Sequence, residues 1–302
     1  MKIFLTGGTG FVGTHLTAFL IQGGHQVTIL ARSVKERKLV SPGISYLQGD
    51  CTKRGHWQDS IRDHDVVINL AGASIFSRWT EAYKNLIIES RVDTTRNVVE
   101  GISSATGGRI TLFSASGTGY YGFHEDEELT EDSPPGNDFL ARVAHEWETE
   151  AFKAEEYGAR VVTTRFGIVL ERNGGALGEM IPFFRMFIGG PIGNGLQWFS
   201  WTHMKDLLGA FDFLMRHSEI SGPVNFCSPE PVRNKDLAKA LGKILNRPSL
   251  IPAPGFMIRL ALGEFGSVIL NGQRAVPGKL LDADFIFQYP EIAEALREIV
   301  VH

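Results

Sequence analysis

The stretch Gly7-Gly8-Thr9-Gly10-Phe11-Val12-Gly13 constrains this chain more than any other. It follows a short apolar run, Met1–Leu5, and opens an apolar-periodic stretch that ends near Gln22. Strand, glycine turn and helix in that order make the first unit of a dinucleotide-binding fold. Glycine lets the backbone turn tightly and approach a pyrophosphate closely. The helix that follows offers free N–H groups and the positive end of its dipole to the anion. Gly7, Thr9, Gly10, Phe11, Val12 and Gly13 are therefore the expected pyrophosphate contacts.

The pattern predicts a second strand over Gln26–Ala31, after a Gly-Gly helix stop. The residue that closes it selects the cofactor. NAD-selective folds place Asp or Glu there, about 20 residues beyond the turn, to hold the ribose 2′-hydroxyl. Here the position is Arg32, and the nearest acid is Glu36. A guanidinium suits a 2′-phosphate, which an acid would repel. The expected cofactor is NADP(H).

Further strands are predicted over Ile44–Gln48, Asp65–Leu70, Ile110–Ser114 and Arg160–Arg165, with helices over Thr80–Ile102 and Phe139–Tyr157. Strand and helix alternate, so the fold class is α/β: a doubly wound, Rossmann-type parallel sheet with a smaller C-terminal substrate lobe. Asp50 and Cys51 follow the third strand on the cofactor side. Asp50 reads either as a partner of the adenine amino group or as a cap for the next helix. Asn69-Leu70-Ala71-Gly72 ends the fourth strand, where small residues let the chain pass beside the cofactor or let a helix pack closely. After Arg165 the texture changes. Residues 171–200 are rich in glycine and aromatics, and residues 246–302 carry proline turns and a last helix over Glu291–Val300. Residues 1–245 are expected to form the cofactor domain, with 171–203 contributing to a substrate cleft. Residues 246–302 form the lobe that faces the carboxyl ends of the strands.

A net charge of −4 gives no reason to expect nucleic acid or an anionic membrane as partner. The two cysteines, Cys51 and Cys227, make no disulfide framework and lack metal-ligand spacing. With no signal peptide and no apolar run near the roughly 20 residues that span a bilayer, a cytoplasmic setting is expected. The acidic run HEDEELTED at 124–132 reads as a solvated loop and not a metal site.

These residues resemble the short-chain dehydrogenase/reductase superfamily in its extended, epimerase/dehydratase-like branch. GGTGFVG, NLAG at the end of strand four and FSASGTGYYG after strand five carry the likeness. RWTEAYKNLIIESRVDTT, DFLARVAHEWE, RFGIVLERNGGAL, GNGLQWFSWTHMKDL and the tail APGFMIRLALGEFGSVILNGQRAVPGKLL narrow it to the atypical "epimerase family" proteins. The resemblance implies an active site of Ser, Tyr and Lys, often with an Asn. The Ser matches Ser116, just past strand five, with Ser114 as competitor. The Tyr-x-x-x-Lys would fall near Leu140 to Ala144 and is missing. None of Tyr46, Tyr83, Tyr120, Tyr121, Tyr157 and Tyr289 has lysine four residues later. The helix that should carry the Asn aligns at Arg91. Extended relatives dimerise through the helices after strands four and five, which implies a homodimer here.

Other residues are candidates for the missing roles. Tyr120 and Tyr121 read as acids in the cleft or as aromatic packing under the lobe. Arg78, Trp79 and Lys84 stand after strand four, where a substrate loop is expected. Arg78 is a clamp for an anionic substrate or a solvated loop charge. Trp198, Trp201 and His203 match a segment that lies beside the substrate in extended relatives. His203 titrates near neutrality or serves as a structural partner, and Asp206 caps or holds that segment. His145 is a surface residue that shares a helix face with Arg142, Glu148 or Thr149. Two functions follow. One is an oxidoreductase or epimerase acting on an unidentified small molecule, with Ser116 polarising the substrate and Tyr120 or Tyr121 as acid. The other is a cofactor-binding sensor without turnover.

Overall fold

The computed structural model of the protein describes residues 1–34, 42–105, 109–172 and 174–301. Glu36 lies outside the described residues. The centre is a seven-stranded sheet: β1 (Lys2–Thr6), β2 (Gln26–Ala31), β3 (Ile44–Gln48), β4 (Val66–Asn69), β5 (Thr111–Gly117), β6 (Arg160–Phe166) and β7 (Gly222–Phe226). The order across the sheet is β3-β2-β1-β4-β5-β6-β7, and every neighbouring pair is parallel. The direction of winding reverses between β1 and β4, which opens a crevice at the carboxyl ends of those strands.

Period-two alternation along β1 builds both faces of the core. Ile3 and Leu5 pack with Leu16 and Leu20 of α1 (Phe11–Gln22) and with Leu207 and Phe211 of α5 (Met204–Arg216). Phe4 points the other way, to Trp57, Ile61, Val98 of α2 (Glu81–Ser103) and Ala151 of α3 (Phe139–Phe152). Side-chain caps start both helices of that second face. Thr80 accepts from the Tyr83 amide at 3.2 Å, and Asp138 from the Ala141 amide at 3.0 Å. The α3 register gives way to a 3-10 turn over Lys153–Tyr157 and stops at Gly158, φ 79°. That is shorter than the helix expected from the sequence, because the tighter turn and a left-handed glycine satisfy the final carbonyls.

Two differences from the sequence reading matter. The seventh strand, β7, was not expected. It contains Pro223, whose missing N–H restricts it to a sheet edge, and β7 is that edge. The strand β5 also runs on to Gly117, so Ser116 lies within the strand and not beyond it.

The smaller lobe draws on both sides of residue 246. The amphipathic helix α6 (Asn234–Leu245) buries Leu237, Ala238 and Leu241 against Leu296 and Ile299 of the last helix, Ile292–Val301. Leu177, Ile181 and Phe184 of α4 (Gly175–Arg185) join them. Two short helices, α7 (Gly255–Leu262) and α8 (Glu264–Leu270), follow. Leu262 and Phe265 close over Trp79, Ile87 of α2 and Phe139 and Val143 of α3. The lobe is thereby clamped to the helices that flank the crevice. Among the described residues, no helix is long and apolar enough to cross a membrane.

Candidate active site

The glycine turn stands at the switch point. Gly7 has φ 69°, and a Cβ there would lie 2.7–2.8 Å from the backbone of Leu70 and Ala71. Only glycine lets the ends of β1 and β4 come this close. At Gly13 a Cβ would drive into the Gly7 carbonyl. The α1 N-terminus has Gly10 as N-cap, no side-chain cap and no acid in its first turn. Thr9 and Gly10 are exposed. The free N–H groups and the dipole end thus face open space, which is the arrangement that receives a phosphate. Val12 is half-buried and packs against the core. Phe11 packs under the turn into α4, where Cβ atoms on Gly174 and Gly175 would stand 2.6 and 3.2 Å from its ring.

Along the crevice on the β2–β3 side, Arg32 is exposed at the end of β2. Asp50, at the end of β3, accepts from the Thr52 amide at 3.1 Å and hydroxyl at 2.8 Å. Partial burial pushes its pKa up, but these bonds and nearby cations hold it below the usual carboxylate value. Its carboxylate organises the turn over Asp50–Thr52. Cys51 turns away toward α2, where Thr94 Oγ1 approaches its Sγ at 3.6 Å and burial raises the thiol pKa. Asn69 is sealed: it accepts from Thr6 at 2.6 Å and donates to Thr95 at 2.9 Å. Leu70 and Ala71 are half-buried and Gly72 is exposed on the crevice wall.

The β5–β6 side is built from side chains. Ser116 Oγ donates to Glu148 Oε1 of α3 at 2.6 Å. Arg165 of β6 grips the same carboxylate with Nε and Nη2, each at 2.8 Å. A third arm, Nη1, donates to the Tyr121 hydroxyl at 3.0 Å. Tyr121 in turn donates to Asn225 Oδ1 of β7 at 2.7 Å. Every member is buried. Burial works against the Arg165 charge, but the two Glu148 bonds outweigh it and raise its pKa. Tyr120 lies half-buried with its ring 3.4 Å from Arg165 Cζ, a stacked cation–π contact. Its hydroxyl makes no hydrogen bond among the described residues.

The sequence of residues 3–227 matches the family described as NAD dependent epimerase/dehydratase. The chain belongs to that family. Residues 253–299, in the lobe, match a domain of unknown function. Among relatives, the Arabidopsis thaliana chloroplastic homolog of epimerase family protein SDR39U1 is 38% identical over 99% of this chain and 87% of its own. Epimerase family protein YfhF of Bacillus subtilis is 39% identical over 99% of this chain and 98% of its own. The crystal structure of human epimerase family protein SDR39U1 with NADPH superposes with a TM-score of 0.87 at 31% identity, covering 100% of both chains. A UDP-galactose 4-epimerase shares the fold at a TM-score of 0.76 and 21% identity, over 99% of this chain and 97% of that one.

In this epimerase-family chain several residues read as cleft candidates are sealed in the fold, while Asp206 holds its segment and His145 is at the surface, as expected. Tyr121 has 0% exposure, and burial pushes its pKa well above the ordinary value. A phenol so enclosed and doubly bonded is a strut, not an acid open to a cleft. Ser116 is 4% exposed and donates its one O–H to Glu148. In this arrangement the oxygen is an acceptor and does not polarise a carbonyl. Ser114 is sealed in β5. Trp79 is buried edge-on to Phe139, ring centroids 5.0 Å apart, with Nε1 donating to the Ile75 carbonyl; it docks the lobe. Trp201 has 0% exposure and donates to the Glu230 carbonyl at 3.0 Å. His203 accepts from the Lys205 amide at Nδ1, so Nε2 carries the proton and donates to Glu298 at 3.0 Å. With Asp206, which accepts from the amides of Gln288 and Tyr289, it latches α5 to the C-terminal segment. Trp198 lies under Arg233 and donates to Asp126. Lys84 pairs with Glu264 at 2.5 Å, while Arg78 stays exposed beside Gly263. His145 is exposed. The acidic run is not wholly solvated: Glu131 is 6% exposed and accepts from the Asn225 amide at 2.9 Å.

Glu148, Arg165 and Asn225 were missed by the sequence reading. Arg165 left one signal, a charge within the otherwise uncharged run VVTTRF of a central strand. A buried charge needs a buried partner, but the sequence does not say that the partner is Glu148.

Proposed function

We propose that this protein binds NADP(H) across the carboxyl edge of its sheet and acts as an atypical oxidoreductase or epimerase on a small molecule. The observation that carries the reading is the uncapped α1 N-terminus, cradled by glycines that no side chain can replace, with Arg32 where an acid would select NAD. Gly7, Gly10 and Gly13 admit the pyrophosphate, and Arg32 meets the 2′-phosphate. When bound, the nicotinamide supplies or accepts hydride. The protein's own residues do the rest. Ser116, its proton held by Glu148, offers a lone pair to a hydroxyl or amide donor of the ligand. Tyr120 is the candidate proton donor, since its hydroxyl has no hydrogen-bond partner among the described residues and its ring is fixed on Arg165.

A second reading, a sensor without turnover, is favoured by one observation. The α3 positions expected to hold Tyr and Lys carry Leu140 and Ala144. Incubation of the protein with a metabolite extract and NADPH deuterated at either face of C4 separates the two. Deuterium in one metabolite, or conversion of one metabolite to its isomer without label, supports the enzyme. Tight NADPH binding with neither outcome supports the sensor.

A further inference from the structure

One half-buried cation near the crevice has no anionic partner among the described residues. Arg91 stands on α2 and is half-buried. One nitrogen, Nη1, donates to the Ile87 carbonyl at 3.1 Å. The guanidinium otherwise rests on the Trp147 ring of α3, 5.1 Å from the centroid. Among the described residues it forms no ion pair. Burial pulls its pKa down to about 10. A cation held this way costs folding energy unless something pairs with it.

Its surroundings are rigid. Trp147 donates to Thr95 Oγ1 at 2.8 Å, and the same oxygen accepts from Asn69 at the end of β4. Trp147 and Ala144 are three residues apart and share a face of α3. The guanidinium therefore lies within one helical turn of a buried alanine. From the other side, a methyl on Gly72 would stand 3.1 Å from Arg91 Cζ and 3.3 Å from Nη1. Gly72 is exposed, so the bare backbone there leaves the guanidinium at the crevice wall.

The sheet order fixes which part of a ligand passes this point. Arg32 and Asp50 end β2 and β3 on one side of the switch, and the glycine turn follows β1. A dinucleotide with its 2′-phosphate at Arg32 and its pyrophosphate at the turn must lay its other half over β4 and β5. Gly72 and Arg91 stand beside β4. We propose that Arg91 grips the nicotinamide half of the bound dinucleotide, at its ribose and adjoining phosphate oxygens. It supplies from α2 a cation that α3 lacks. Its unused N–H donors form a planar fork suited to paired oxygen acceptors.

This assignment rests on the NADP(H) reading, and the test separates the two. Titrations with NADPH and with 2′,5′-ADP, which carries only the adenine half, are run on wild type, Arg91→Ala and Arg91→Lys. The Arg91→Ala protein should bind NADPH about 10–100-fold more weakly and 2′,5′-ADP as wild type does. Arg91→Lys, which keeps the charge without the fork, should fall between them. Gly72→Ala, which crowds the guanidinium, should weaken NADPH alone; it and Arg91→Lys carry the test if Arg91→Ala does not fold. Equal loss for both ligands, or no loss for either, overturns the assignment. Wild type that binds neither ligand overturns the NADP(H) reading itself, and this assignment with it.

Discussion

The two halves of the crevice are made differently. On the β1–β2–β3 side the wall is mostly backbone: a glycine turn, an open helix N-terminus and one exposed arginine. On the β4–β5–β6 side the wall rests on side chains from five elements tied into one buried network, from Ser116 through Glu148, Arg165 and Tyr121 to Asn225. Backbone sites depend on a few contiguous residues. A side-chain network depends on the whole tertiary structure, and its members fail together. The same contrast separates Tyr120 from Tyr121. They are neighbours in sequence, yet among the described residues one hydroxyl has no hydrogen-bond partner and the other is locked between Arg165 and Asn225.

The sharpest way to break the contrast is at those tyrosines. If the protein turns over, Tyr120→Phe should lower the rate by about 10²–10⁴ and leave NADPH affinity unchanged. Tyr121→Phe should instead lower stability, by about 1–3 kcal/mol, because it strips a partner from buried groups. Steady-state kinetics beside urea denaturation checks both, and the reverse pattern would exchange their roles. Next in size is Glu148→Ala. It leaves Arg165 buried and unpaired, and should cost about 3–5 kcal/mol of stability; a normal urea midpoint would refute the network. On the other half, Arg32→Glu should weaken NADPH by about 10–100-fold and leave NADH affinity and the melting temperature almost unmoved. Equal loss of both nucleotides would show that Arg32 does not read the 2′-phosphate.

The smallest effect lies away from both halves, at the latch. Burial holds the His203 pKa below its ordinary value of 6.5, against the pull of Glu298. As pH falls below 6.5 the unfolded chain takes up this proton before the folded one does. Stability from this group is therefore full above 6.5 and declines as pH drops toward the folded value. The urea midpoint of wild type should fall more between pH 7 and pH 5 than that of His203→Gln. Parallel curves would mean the latch does not titrate in that window.

Much of the cofactor side could be read in the sequence because its chemistry is local. The turn, the arginine that closes β2 and the small residues after β4 each follow a strand at a fixed short spacing. The substrate side was legible only as a list of reactive residue types. Trp201 and His203 looked like cleft residues, and both are sealed by partners far along the chain, Glu230 and Glu298. Periodicity located α3 but not which of its residues face Ser116.

The sequence by itself determined the parallel α/β sheet and the glycine turn after its first strand, since strand and helix periods and glycine's backbone freedom act over a few residues. Only the tertiary structure decided that Ser116 donates its hydroxyl to Glu148, that Tyr121 is a strut, and that Arg91 has no anionic partner among the described residues. Those outcomes depend on which distant groups come within hydrogen-bond reach and which are cut off from water, and packing sets both.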